Sequence, residues 1–290
     1  MRRLAPVSRI CGLICFVPAI LLLSVALLGY ARAEDASNWE NDLYSATRLL
    51  AGAAYHDGGA SFLRAGVEIK LNPGWKTYWR YPGDSGIPPR FDFSGSRNVK
   101  SAIMAWPAPK RFEDGAGMSI GYEGGVIFPV RVVPEDPDKP VSLRMTIDYA
   151  VCKNLCVPAA GKAEINLPGQ ASDLDATLAA SERRVPKPAS IGDAGSLTIR
   201  NVRREDASPR PRVIVDVAAP AAGKVDLFAE GPAPDWALPL PAPVADAPAG
   251  LHRFVFELDG LPPGATAAGA MLTFTAVSGE DAIEVSTRLD

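Results

Sequence analysis

The sequence is poor in the residues that build most metal and catalytic sites. It has only two histidines, His56 and His252, far apart in the chain, and four cysteines in 290 residues. It has no glycine loop of the kind that binds nucleotides between a strand and a helix. It also lacks a basic stripe with interleaved aromatic residues, and its formal net charge is -3. These absences argue against a zinc site, a nucleotide-dependent enzyme and a nucleic-acid-binding protein.

Long apolar runs are scarce as well, and the one long run lies at the N-terminus. It covers residues 10–29, follows a basic start and precedes the small residues Ala31 and Ala33. This order predicts a cleaved signal peptide over residues 1–33 and an exported, soluble, periplasmic protein. The length of the run leaves an uncleaved membrane anchor as the alternative.

Cleavage would leave two cysteines, Cys152 and Cys156, because Cys11 and Cys15 lie in the predicted signal peptide. A thiol pair in an exported chain meets an oxidising compartment, where a disulfide is its default state.

Most of the chain after residue 44 has the short alternating patterns of β-strands, clearest at 141–149. One helix is predicted at 172–184, capped by Ser172, and a proline-rich extended linker follows at 185–190. The patterns predict an all-β fold with two immunoglobulin-like β-sandwich domains, at 34–170 and 195–290, joined by the helix and linker of 171–194. The second segment has no cysteine and no catalytic cluster, so we expect a scaffold or docking module.

Strand parity predicts where the cysteines point. Odd positions are apolar in 141–149 and again at 163–167, so odd side chains should face the core. Cys152 and Cys156 are both even and should project from the opposite face, across a turn of three residues. Antiparallel neighbours at such a turn are close enough to form a disulfide.

Three interpretations of this pair are open. A structural staple is common in exported proteins, but a loop of about five residues would stabilise the fold by only roughly 2 kcal/mol. A metal clamp lacks further ligands, although two thiolates could hold copper(I). A reversible disulfide is favoured, because an outward-facing pair on a tight turn is within reach of another protein's thiolate.

Several short motifs surround the pair. They are GWKTYWR at 74–80, Trp106-Pro107 with Phe112 and Tyr122, Phe128-Pro129-Val130, and Tyr149-Ala150-Val151-Cys152 with Cys156-Val157-Pro158. On these motifs, residues 74–168 resemble the N-terminal periplasmic domain of the thiol:disulfide interchange protein DsbD and the related ScsB-type proteins.

The resemblance implies an immunoglobulin-like domain with Cys152 and Cys156 as its catalytic pair and with no cofactor or metal. Such a pair takes electrons from a membrane thiol-electron transporter and reduces periplasmic thioredoxin-like proteins, an activity of the protein-disulfide reductase type. It also implies a lid over the disulfide, a loop at about 109–122 with Phe112 as its cover. Three further lid or partner-binding candidates are Met118, Tyr122 and Tyr149.

The sequence departs from the family pattern in three ways. Its cysteines are closer together, and Lys110 and Arg111 stand where acidic residues precede the lid phenylalanine. The chain also has no transmembrane bundle and no thioredoxin-like C-x-x-C, so a relay would need a separate membrane reductant. Whether the chain is an enzyme stays open. The alternative is a non-catalytic periplasmic binding or adaptor protein, in copper tolerance or cytochrome c maturation, with a structural disulfide.

Overall fold

The structure is a computed structural model that describes residues 34–57, 59–84, 86–114, 117–206, 210–220 and 223–290. Residues 34–290 form one compact unit. The predicted signal peptide at 1–33 lies outside the described residues. Among those residues, no helix has the length and apolar character that crossing a bilayer requires.

Eleven strands of the described residues build the first sandwich. They are β1 (Glu40–Asn41), β2 (Ser45–Asp57), β3 (Ala60–Leu71), β4 (Lys76–Gly83), β5 (Arg90–Asp92), β6 (Val99–Met104), β7 (Lys110–Asp114), β8 (Gly117–Glu123), β9 (Gly125–Pro134), β10 (Val141–Cys152) and β11 (Cys156–Leu167). One sheet has the order β1-β2-β3-β9-β6. The other has the order β11-β10-β4-β8-β7, with β5 paired to β10.

The long hairpin of β10 and β11 follows the alternation in the sequence. Leu143, Met145 and Ile147 on β10 are buried in the main core, whereas Arg144 and Asp148 are exposed. The register continues without a shift from the open end of the hairpin to its tip, past Pro158 and Gly161. Period-two patterning therefore predicted both the strands and the faces that they bury.

The single helix of the described residues, α1 (Asp175–Arg183), begins later than predicted. The expected Ser172 cap is wrong: Ser172 Oγ accepts a hydrogen bond from Leu174 N–H, ahead of the helix, and no side chain caps the helix itself. Leu178 is fully buried against the bare backbones of Gly52 and Gly66. The helix thus packs onto the sheet that contains β2 and β3.

In the part of the chain that the structure describes, eight strands form the second sandwich. They are β12 (Lys187–Pro188), β13 (Thr198–Glu205), β14 (Arg212–Ala218), β15 (Val225–Glu230), β16 (Ala242–Val244), β17 (His252–Glu257), β18 (Met271–Ser278) and β19 (Asp281–Arg288). Its sheets have the orders β12-β19-β18-β15 and β13-β14-β17-β16. Part of the predicted linker is itself a strand, since β12 pairs with β19. The all-β prediction is confirmed: apart from α1, the regular elements of the described residues are strands.

The two sandwiches meet along β4. Phe228 of the second sandwich is fully buried within the main core of the first, with its ring centroid 5.8 Å from that of Trp79. Next along β4, Arg80 Nη2 lies 2.7 Å from a Glu230 carboxylate oxygen and also donates to Glu284. The apolar contact and the ion pairs together bind one sandwich to the other.

Candidate functional site

A disulfide closes the tip of the β10–β11 hairpin. Cys152 is the last residue of β10 and Cys156 the first of β11, and the two stand directly opposite each other. Their Cα atoms are 4.1 Å apart. The three residues between them make the turn, as the spacing predicted.

The two cysteines differ sharply in exposure. Cys152 is only 2% exposed, whereas Cys156 is an exposed residue. Parity correctly placed Cys152 outside the main core, because it belongs to a separate cluster with Tyr78, Phe112 and Ala150. The rings of this small cluster cover Cys152, and only Cys156 is exposed.

Tyr78 on β4 is the central ring of this cluster. It is fully buried, and its hydroxyl oxygen lies 3.1 Å from the sulfur of Cys156. Its ring centroid is 6.3 Å from that of Phe112. On another side the ring packs against the bare backbone of Gly86, where φ is +109° and a Cβ would collide with the ring. Glycine at 86 is therefore required both by its backbone conformation and by the packing of Tyr78.

The predicted lid is a hairpin of two strands. We call β7 and β8 the cap hairpin; it carries Phe112, which is 7% exposed. The sequence predicts that Gly115, Gly117 and Gly121 let this segment move. A Cβ at Gly121 would collide with the backbone of Thr77, so this glycine lets β8 approach β4 closely. Gly115 lies outside the described residues.

Lys76 links the cap hairpin to the disulfide hairpin. It stands opposite Cys152 in the strand register. Its ammonium nitrogen lies 4.6 Å from the Phe112 ring centroid and donates a hydrogen bond of 3.0 Å to the carbonyl oxygen of Glu113. Lys76 and Tyr78 were not predicted as site residues, although both lie in the GWKTYWR motif. Their spacing of two, which places them on one strand face, was the available signal.

Of the other predicted lid or partner-binding residues, Met118 and Tyr122 lie on β8 of the cap hairpin and Tyr149 lies on β10. Met118 is half-buried on β8, within the cap hairpin. Tyr122 and Tyr149 belong to the main core, where their hydroxyls bond to the Pro107 carbonyl oxygen at 2.8 Å and to Ser45 Oγ at 2.7 Å. Burial raises the pKa of both phenols. The structure thus brings Phe112 to the disulfide and places these two tyrosines on the opposite face of their sheet.

The turn beside Cys156 is exposed, and its residues are Lys153, Asn154 and the apolar Leu155. Leu155 in the turn is 72% exposed, and Ile87 nearby in the cleft wall is 53% exposed. An open cleft of about 700 Å³ runs beside β10 and β11. It is lined by apolar residues such as Ile87 and Pro158 and by the charged residues Asp42, Arg90 and Asp148. Among the described residues, no group of three or more histidine, cysteine or acidic side chains is arranged to hold a metal ion.

Comparison with known proteins agrees with the resemblance in the sequence. Residues 54–168, which include both cysteines and the cap hairpin, match the family model described as "Thiol:disulfide interchange protein DsbD, N-terminal". The structure is similar to the crystal structure of the N-terminal periplasmic domain of ScsB from Proteus mirabilis. The TM-score is 0.67 and the identity 19%, over 89% of this chain and 99% of that one. The comparison with curated proteins found no match. The predicted family resemblance is confirmed, and the structural likeness shows a shared fold.

Proposed function

We propose that this chain is a periplasmic thiol–disulfide exchange relay, in which the Cys152–Cys156 pair cycles between disulfide and dithiol. It accepts two electrons from a separate membrane thiol-electron transporter and passes them to thioredoxin-like proteins. The observation that carries the proposal is the asymmetry of the disulfide: one cysteine is exposed at a hairpin tip, and the other lies under a ring cluster. The family match over 54–168 supports the same chemistry.

The exposure difference supports one order of events. A thiolate of the reductant attacks the exposed sulfur of Cys156, the sulfur–sulfur bond breaks, and Cys152 leaves with the electron pair as a thiolate. The second thiol of the reductant then attacks the first sulfur of the reductant, which is bonded to Cys156 in the mixed disulfide, and Cys156 is released. The reductant becomes a disulfide, and two electrons and two protons pass to this chain. Reduction of a partner runs the same steps in reverse, with Cys156 as the attacking group.

The cap hairpin gives the exchange its selectivity. Phe112 and Tyr78 cover Cys152, so an approaching thiol meets only one of the two sulfurs while the cap is in place. A partner that docks and displaces Phe112 would open the pair, whereas a protein that only collides with it would not. Such a lid protects the reduced pair from oxidation by the wrong protein.

The partner's docking surface is the apolar rim around Cys156. Leu155, the neighbour of Cys156 in the chain, is exposed, and the exposed Ile87 lines with Pro158 the cleft beside β10 and β11. A partner with an apolar surface around its own reactive cysteine would fit this rim. Apolar contacts at the centre of an interface hold the two sulfurs together long enough for exchange.

The burial of Cys152 also favours a second candidate function, a non-catalytic adaptor in which the bond only shapes the hairpin. Mixed-disulfide trapping separates the two candidates. With Cys152→Ala, Cys156 should form a stable mixed disulfide with an oxidised thioredoxin-like protein, whereas Cys156→Ala should trap far less because Cys152 is covered. Equal trapping by both variants, or none by either, would contradict the relay.

A further inference from the structure

Arg111 connects the cap hairpin to the second sandwich. It lies on β7, directly before Phe112, and its side chain is 16% exposed. Its Nη2 donates hydrogen bonds to the carbonyl oxygens of Leu227, at 3.1 Å, and Pro241, at 3.0 Å. Both acceptors are backbone atoms of the second sandwich, so a side chain of the cap strand is held by the neighbouring sandwich.

The surroundings of Arg111 make this attachment specific. Its Nε lies 3.8 Å from a carboxylate oxygen of Asp226, and its guanidinium carbon lies 5.8 Å from the Phe228 ring centroid. Burial lowers the pKa of Arg111, and the charge of Asp226 partly offsets that effect. Both hydrogen bonds come from one guanidinium nitrogen, while the planar group lies between the carbonyls, the Asp226 carboxylate and the Phe228 ring. The compact ammonium of a lysine would reproduce this arrangement only in part.

The second sandwich is a fixed support for this attachment. Arg80 on β4 is paired with Glu230 and Glu284, and Phe228 is buried in the first core. Leu227 adjoins Phe228 in the chain, so the carbonyl that receives Arg111 is held by the same packing. Moving the cap strand outward would break the two hydrogen bonds from Arg111 to the carbonyl oxygens of Leu227 and Pro241, which are held by the packing of the second sandwich.

Neighbouring residues on a strand point to opposite faces, so Arg111 and Phe112 project in opposite directions from β7. Fixing the Arg111 side chain on one face of β7 therefore fixes the position of the Phe112 ring against Cys152 on the other face. We propose that Arg111 is a positioning residue through which the second sandwich holds the cap hairpin closed over the disulfide. This inference rests on the proposed exchange function and gives the second sandwich a part in it.

The test uses the rate at which excess dithiothreitol reduces the disulfide of the full chain. This small dithiol attacks Cys156, releases the Cys152 thiolate and closes to its own cyclic disulfide, so no protein partner is needed. Opening the cap would let water stabilise the departing Cys152 thiolate and would also expose Cys152 itself to attack, and both effects speed reduction. Arg111→Met keeps the apolar stem but removes both hydrogen bonds, and reduction should become about tenfold faster. The matched control Lys110→Met removes a neighbouring exposed cation and should leave the rate unchanged.

Phe112→Ala shows whether Arg111 acts through the cap. Removing the ring should accelerate reduction by itself, and the double variant with Arg111→Met should be no faster than Phe112→Ala alone. Equal rates for Arg111→Met and Lys110→Met would overturn the proposal. The proposal would also be overturned if the rate increase in the double variant equalled the product of the increases in the two single variants.

Hydrogen–deuterium exchange requires no redox chemistry. It therefore tests the role of Arg111 in holding the cap hairpin independently of whether the protein is a thiol–disulfide relay. Arg111→Met should speed amide exchange in 110–114 while the second sandwich keeps its protection, and Arg111→Lys should restore only part of that protection. Unchanged exchange in 110–114 would overturn the positioning role even if the protein proves an active relay. Lost protection throughout the second sandwich would overturn it in favour of a general structural role.

Discussion

The hydroxyl oxygen of Tyr78 lies 3.1 Å from the sulfur of Cys156, the exposed half of the disulfide. In the disulfide only the phenol can donate this hydrogen bond, and in the reduced protein the same phenol would donate to the Cys156 thiolate. Hydrogen bonding to the charged form of a group favours that form. Tyr78 is therefore placed to activate the sulfur that we assign as the attacking group.

Tyr78→Phe should make Cys156 less reactive at neutral pH. In a Cys152→Ala background, the pH profile for alkylation of Cys156 should move to higher pH by about one unit, because a charge-assisted hydrogen bond is lost. Tyr122→Phe is the matched control, since it removes a buried hydroxyl that bonds to Pro107 in the main core. An unchanged profile in Tyr78→Phe, or an equal shift in the control, would contradict this role.

The ion pairs of Arg80 should matter more than those on the outer surface. Arg80→Ala removes bonds to Glu230 and Glu284 at the junction of the sandwiches, where the Arg80 side chain is 27% exposed. We expect a loss of about 2 kcal/mol in the free energy of unfolding, measured by urea denaturation, because partly buried carboxylates are left without a partner. Arg210→Ala, which removes a pair with Asp259 whose side chains are about half exposed, should cost less than about 1 kcal/mol. Similar losses in the two variants would show that the junction is not stabilised by these pairs.

Tyr81 should make the junction sensitive to alkali. Its hydroxyl donates to the carbonyl oxygen of Leu238 at 2.6 Å, and burial, followed by the charges of Glu230 and Asp84, raises its pKa to about 12. Above the ordinary pKa of 10.0 the unfolded chain loses this proton while the folded protein keeps it. The unfolded state then binds fewer protons than the folded state. The contribution of Tyr81 to the free energy of unfolding is therefore fully present below pH 10 and is lost as the pH rises through 12.

Tyr81→Phe tests this directly by urea denaturation at a series of pH values. The variant should lose about 1 kcal/mol at pH 7, through the missing hydrogen bond. Its stability should then fall less steeply than that of the wild type between pH 10 and pH 12. Part of the alkaline loss should persist, since Tyr122 and Tyr149 are also buried phenols with a raised pKa. Equally steep curves for the variant and the wild type would contradict the assignment.

The disulfide hairpin could be predicted from the sequence because its determinants are local. Alternation from Val141 to Tyr149 sets the buried face, and a spacing of four places Cys152 opposite Cys156. Parity gives the face on which a side chain lies but says nothing of what covers that face. Phe112 and Tyr78 reach Cys152 from strands more than thirty residues away, and only the fold brings them there.

The junction of the sandwiches could not be read from the sequence for the same reason. The chain shows two strand-rich segments and a proline-rich connection, which indicate two sandwiches. Phe228 is one apolar residue among many in its segment, and its place in the first core depends on how the sandwiches pack. Arg111 appeared only as a departure from the family pattern, whereas the structure places it between two carbonyls of the second sandwich. The two-domain division remains a proposal.

The reduction potential of the Cys152–Cys156 disulfide tests the central claim most directly. Equilibrating the full chain with glutathione or dithiothreitol buffers and counting free thiols by mass spectrometry would measure it. A relay should have a potential in the range of exchange proteins, roughly -120 to -270 mV. A value below about -300 mV would identify a structural disulfide and contradict the proposed function.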